Sequence, residues 1–178
     1  FSISLPDDGW EYWSSQASCR IQVVGERLRM DANRSTASGT IQNEAILSLD
    51  LLNAQNVQLS FFQRPLYSFD GWVAISKDGV TWHTVLDKND LGTTHSGNNY
   101  IVDLDTEVAN IQTTSDPNFS FTENFKIKFV QKAWYNWQSP SALYREWDDI
   151  TVTGTRPDLS IVLPTGATEG DGLLVGAG

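Results

Sequence analysis

The sequence predicts an all-β fold, a two-sheet antiparallel β-sandwich of jelly-roll type, and three observations carry that expectation. Apolar and polar residues alternate with a period of two in run after run, while no segment sustains a helical period over about eleven residues. The runs recur at spacings of roughly 8 to 25 residues with turn residues between them, as in sandwiches and jelly rolls. The stretch Trp72–Leu86 reads as a hairpin, because two β-rich runs flank Asp78-Gly79, a pair suited to a type I′ turn.

Along the chain, Asp7-Asp8-Gly9 makes an entry turn, and Trp10, Tyr12 and Trp13 are expected to cap one end of the sandwich. Candidate strands follow at Arg20–Val24, Arg27–Asp31, Glu44–Asp50, Val57–Gln63, Gly71–Ser76, Thr81–Leu86, Asn99–Asp103, Asn124–Gln131 and Trp147–Thr153. Gly25-Glu26, Asn53-Ala54, Gly97-Asn98 and Thr122-Glu123 punctuate them. Trp82 is expected to pack onto the core. Leu104–Thr122 lacks a strand pattern, and within it Leu104–Ile111 suits one or two helical turns with Thr106 as the cap.

The texture changes after Gly154. Thr155-Arg156-Pro157 reads as a boundary, Asp158–Val162 as an isolated strand, and Pro164–Gly178 as a Gly-rich linker. An isolated strand buries no core. The expected organisation is a β-sandwich over 1–154, then a linker or the truncated start of a following module over 155–178. The full 178 residues suffice for one domain with a substantial core.

Charge and composition narrow the function classes. A net charge of −10, with twelve scattered basic residues, argues against nucleic acid as a partner. No apolar run is long enough for a membrane-spanning helix. One cysteine, Cys19, excludes an intrachain disulfide and a Cys-based metal site. The first residues show no basic segment followed by an apolar one, so any signal peptide is expected to be removed or to lie outside this fragment.

Catalysis finds little support. The two histidines, His83 and His95, lie in a strand and in a Gly/Ser/Thr loop, and no Gly-x-Ser-x-Gly elbow is present. No Glu-x-Asp-x-x-Glu of the jelly-roll glycosidase kind occurs, although any two of 22 acids can converge across a sandwich.

Binding residues are better represented. Trp134-Tyr135-Asn136-Trp137-Gln138 follows a candidate strand, and three large aromatics in four residues cannot all enter one core. Exposed indoles mark binding surfaces, and sugar C–H faces stack on indole. Trp134, Tyr135, Trp137 and Trp72 are therefore candidate carbohydrate contacts. Tyr144-Arg145 and the loop containing Arg64 and Tyr67 add aromatic-plus-guanidinium pairs suited to carboxylate or sulfate. The bland alternative is that these aromatics cover sheet ends and pack on one another. Lys126, Lys128 and Lys132 share one strand face. They are either a solvated face that discourages edge aggregation or a cationic floor for an acidic polysaccharide.

Trp13-Ser-Ser, Arg20-Ile-Gln-Val, Arg27-Leu-Arg-Met-Asp31, Asn43–Leu47, Gly71–Ser76 with Asp78-Gly79, and Trp147-Asp148-Asp149-Ile150-Thr-Val152 follow one order. That order resembles MAM-like and cleaved-adhesin-type jelly-roll domains of bacterial secreted proteins, over roughly residues 10 to 154, and is similar to carbohydrate-binding modules. The resemblance implies a structural Ca²⁺ held by Asp148 or Asp149, with Asp31 and Glu44 as partners, oxygen ligands of the kind Ca²⁺ takes. The competing reading is that Asp148-Asp149 caps a turn. The chain departs from the pattern in its compact, aromatic loop Arg64–Asp70 and in Cys19, where a small residue is expected.

The function expected is that of a non-catalytic carbohydrate-binding module of a secreted, extracellular multidomain protein, calcium-stabilised, with a polysaccharide or oligosaccharide and its neighbouring modules as partners. The first alternative is an adhesive or spacer sandwich making protein contacts. The second is a glycan-cleaving enzyme.

Overall fold

The computed structural model describes residues 9–32, 39–66, 70–92, 96–135 and 144–156. Ten strands and two helices follow in the order β1 (Trp10–Ser14), β2 (Cys19–Val24), β3 (Arg27–Ala32), β4 (Gly39–Leu49), β5 (Gln55–Leu66), β6 (Asp70–Ser76), β7 (His83–Leu86), α1 (Lys88–Leu91), β8 (Asn98–Asp103), α2 (Leu104–Thr114), β9 (Phe125–Tyr135) and β10 (Tyr144–Thr155). They form two five-stranded sheets, β1-β4-β9-β6-β7 and β2-β3-β10-β5-β8, with every described pairing antiparallel. The expected two-sheet β-sandwich is what the chain forms.

The alternation read in the sequence becomes burial. In β4, Ile41, Asn43, Ala45 and Leu47 point inward, and in β9 Phe125, Ile127, Phe129, Gln131, Ala133 and Tyr135 do so. At the centre, Phe61, Phe129 and Trp147 meet from both sheets with ring centroids 5.1–5.7 Å apart. Such pairs contribute about 0.5–1.5 kcal/mol each beyond their burial. A polar layer interrupts this core. Ser14 donates to Asn43 Oδ1 (2.7 Å), and Asn43 Nδ2 donates to Gln131 Oε1 (2.8 Å) and to the Asp31 carbonyl (2.9 Å). Beyond that layer lies a second, small cluster of Ala32, Ile41, Ala133 and Tyr135.

Several expectations change. Trp10–Ser14 is a paired edge strand rather than an end cap, with the Trp10 ring tilted against Phe129 at a centroid distance of 6.0 Å. The hairpin between β6 and β7 exists, but six residues join its strands, not a two-residue turn. Side chains close that loop: Ser76 Oγ accepts from Gly79 N (2.8 Å), and Asp78 Oδ1 accepts from Val80 N (2.8 Å) and Thr81 N (3.2 Å). The Leu104 helix runs three turns, and its cap is Asp103, which accepts from Thr106 N. Helix α1 was missed, a single turn closed by a capping box between Asp87 and Asp90. The region beyond residue 156, read as a linker or following module, lies outside the described residues.

Candidate carbohydrate-binding face

The two most exposed tryptophans among the described residues are Trp13 (50% exposed) and Trp134 (59%). Both belong to the first sheet, and parity places both on its outer side. Trp10 and Tyr12 share their side of β1 with inward Leu47 and Ala45, so Trp13 points away, paired with Glu44. Tyr135 points inward on β9, so Trp134 points out, paired with Thr40.

The register fixes what lies between them. Trp13 is opposite Glu44, Gln42 is opposite Lys132, and Thr40 is opposite Trp134. Gln42 therefore sits midway on the diagonal joining the two indoles, with Glu44 and Lys132 on either flank. Two strand steps and four residues separate Trp13 from Trp134, about 17 Å between backbones. Trp72 lies on the same face, one strand beyond β9 and opposite Val130.

Long side chains lie low over the middle of this face. Val130 and Ala74 point outward yet are buried. Lys128 Nζ ion-pairs with Glu44 at 3.2 Å, with both side chains only 13–14% exposed, and sits 4.2 Å from the Trp82 ring centroid. Trp82, expected on the core, instead covers the outer face. Gln42 Nε2 donates to Glu44 Oε1 (2.6 Å), which fixes the amide at the centre of the diagonal. Lys126 pairs with Glu11. No ion pair joins Lys132 to a described residue. β9 is the middle strand of its sheet, so its three lysines do not protect an edge. Two of the three are neutralised, so they make no cationic floor.

The remaining candidate contacts do not gather here. Tyr135 is 2% exposed and faces the small inner cluster, and burial pushes its hydroxyl well above the ordinary phenol value. Arg145 is 1% exposed and lies between the sheets over Trp147, its guanidinium lowered to about 10 by burial. With the Gln63 amide turned oxygen-inward, that oxygen accepts from Arg145 Nη1 at 2.8 Å. Both residues are removed from the contact set because a side chain between two sheets reaches no ligand on the surface. Arg64 and Tyr144 lie on the outer side of the second sheet: Arg64 pairs with Glu146 (2.6 Å), and the Arg29 guanidinium stacks 3.8 Å above Tyr144. They face away from Trp134. Tyr67 and Trp137 lie outside the described residues, as does His95.

The carboxylates named for calcium do not converge. Asp31 is held by Arg20 (2.6 Å) and Arg29 (3.1 Å), Asp148 by Arg27 (2.8 Å), and Glu44 belongs to the other sheet. Asp149 occupies a bulge in mid-strand at φ 50, so the Asp148-Asp149 pair starts no strand. Among the described residues no group of three or more His, Cys, Asp or Glu is arranged to hold a metal ion. Guanidinium and ammonium groups already answer Asp31, Asp148 and Glu44, and the set as named does not fit Ca²⁺.

A Ser-His-Asp grouping is present but wrongly wired for acyl transfer. Ser115 Oγ lies 3.3 Å from His83 Nδ1, while His83 Nε2 is buried without a partner and Asp116 is bound to Lys77 at 2.7 Å. A relay needs the second imidazole nitrogen oriented by an acid.

The missed residue is Trp13. Alternation over Trp10-Glu11-Tyr12-Trp13 opposes Trp13 to the other two rings once the segment is read as a strand.

No family model matches the chain, and no curated protein matches it. Among solved structures it is similar to TmCBM61 in complex with β-1,4-galactotriose (TM-score 0.49, 9% identity, 82% of this chain and 88% of that one). It is similar also to the family 11 carbohydrate-binding module from Clostridium thermocellum in complex with a β-1,3-1,4-mixed-linked tetrasaccharide (0.47, 13%, 83% and 90%). A third likeness is to the xyloglucanase domain of NopAA, a type three effector from Sinorhizobium fredii, in complex with cellobiose (0.42, 14%, 84% and 90%). At TM-scores below 0.5 these likenesses do not decide function, which rests on the side chains described above.

Proposed function

We propose that this chain is a non-catalytic carbohydrate-binding module whose site is the outer face of the β1-β4-β9-β6-β7 sheet. One observation carries the reading: two tryptophans at least half exposed stand on one sheet face with an ordered amide between them. Indole faces stack on the C–H faces of sugars, while Gln42, Thr40 and Lys132 offer polar partners for hydroxyls. Two stacks and a few hydrogen bonds suit a Kd of roughly 10⁻⁴ to 10⁻⁶ M. The Gly-rich segment at 164–178 has a linker's composition and supports an accessory module of a longer polypeptide.

Affinity electrophoresis against neutral, uronic and sulfated polysaccharides tests the reading. Retardation by at least one glycan is expected, and Trp13→Ala and Trp134→Ala should each weaken it roughly 2- to 12-fold. Their melting temperatures should stay near wild type because both rings are exposed. No retardation by any glycan would leave a spacer or adhesive sandwich, and released reducing ends would make the chain an enzyme.

A further inference from the structure

Resting on that reading, we infer that the ligand is an extended, uncharged polysaccharide bound along an internal stretch, its chain following the diagonal Trp13–Gln42–Trp134. Spacing is the first argument. The backbones of Trp13 and Trp134 are about 17 Å apart, and indoles standing out from them at that spacing are farther apart than a mono- or disaccharide reaches. A pyranose with its glycosidic oxygen advances an extended chain by about one strand spacing, so the two indoles are bridged by about four rings.

The order of groups along the diagonal is the second argument. An indole, the Gln42 amide and an indole succeed one another, so apolar stacking faces alternate with a hydroxyl partner. Gln42 Nε2 is tied to Glu44, and Glu44 to Lys128, so the amide is oriented before the ligand arrives. An oriented group loses less entropy on binding than a free one.

Charge is the third. Lys126 and Lys128 are cancelled by Glu11 and Glu44, while Asp70, opposite Lys132 on β6, ion-pairs with Lys88. One lysine of the three on β9 is left without an ion-pair partner among the described residues, and the whole chain carries −10, which repels a polyanion. Trp13 also stands on edge strand β1, so a chain lying over it can run off the sheet. That geometry takes the middle of a polymer as readily as its end.

Isothermal titration with a length series of the neutral glycan that retards the protein tests this. The association constant should rise at least tenfold from disaccharide to pentasaccharide and level off beyond it. On the pentasaccharide, Trp13→Ala, Trp134→Ala and Gln42→Ala should each lose affinity, measured at a temperature where every variant is folded. A disaccharide bound within threefold of the pentasaccharide overturns the inference, as does tighter binding of uronic or sulfated polymers than of neutral ones. In both cases the function as a glycan binder stands. Binding by none of the panel overturns that function as well.

Discussion

Replacing Gly71 by alanine places a methyl group where Arg145 already is. A Cβ built at Gly71 lies 2.6 Å from Arg145 Nε, 2.7 Å from Cζ and 3.0 Å from Nη2. The guanidinium has to retreat by roughly 0.8 Å to reach ordinary contact, in an interior that packs like a crystal. It has nowhere easy to go, since Trp147 lies on one side and the Gln63 amide holds Nη1 on another. Overpacking of this kind costs about 1–3 kcal/mol, and a weakened charged hydrogen bond adds about 1.5–3 kcal/mol. The lower chain entropy of alanine returns about 0.5–1 kcal/mol. The net is about 1.5–5.5 kcal/mol, or roughly 3–22 °C in Tm for a domain of this size. Differential scanning calorimetry reads it directly. Combining the change with Arg145→Ala should destabilise less than the sum of the two single changes, because the second removes the clash made by the first. A Gly71→Ala variant melting within 2 °C of wild type would refute the placement of Arg145 against β6.

Two further outcomes concern acid groups. The Val80 and Thr81 amides hold the Asp78 carboxyl below its usual range, so its contribution is present above about pH 4 and fades as pH falls through the lower, folded value. Asp78→Ala should therefore lower Tm at neutral pH, with the gap to wild type closing in acid, and a gap unchanged down to pH 2 would exclude that role. EDTA should leave Tm within about 1 °C, since arginines and a lysine neutralise Asp31, Asp148 and Glu44; at this domain size such a shift is under about 0.5 kcal/mol, and a large rise with calcium would require ligands other than these.

The alternation made most of the fold legible, because a strand with one buried face writes its burial into every second residue. β2, β3, β6 and β8 lie within a residue of their expected bounds. β9 was expected to stop at Gln131, and its extra four residues decide the site. Continued to Tyr135, the same alternation sends Trp134 out and Tyr135 in, so the aromatic cluster divides between surface and core. Arg145 defeated the pattern for a different reason. An arginine at an inward position is tolerated only because Gly71, on the opposite sheet, leaves the volume its side chain would have filled. That complementarity joins residues 74 positions apart and has no local signature. Arg64 and Tyr144 were grouped with Trp134 by residue chemistry alone, and the topology set them on the opposite face.

Placing Trp13 on the edge strand β1 makes the site part of the mechanics of the fold. An edge strand is held by one neighbour, and its outer backbone groups invite pairing with other chains. A ligand spanning Trp13 and Trp134 fastens that strand to the middle of its sheet, so whatever frays β1 also dissolves the site. Binding and edge closure then share one free energy, and saturating ligand at a hundred times its Kd stabilises the closed edge by about 2.7 kcal/mol. The glycan becomes a removable staple on the margin of the sandwich.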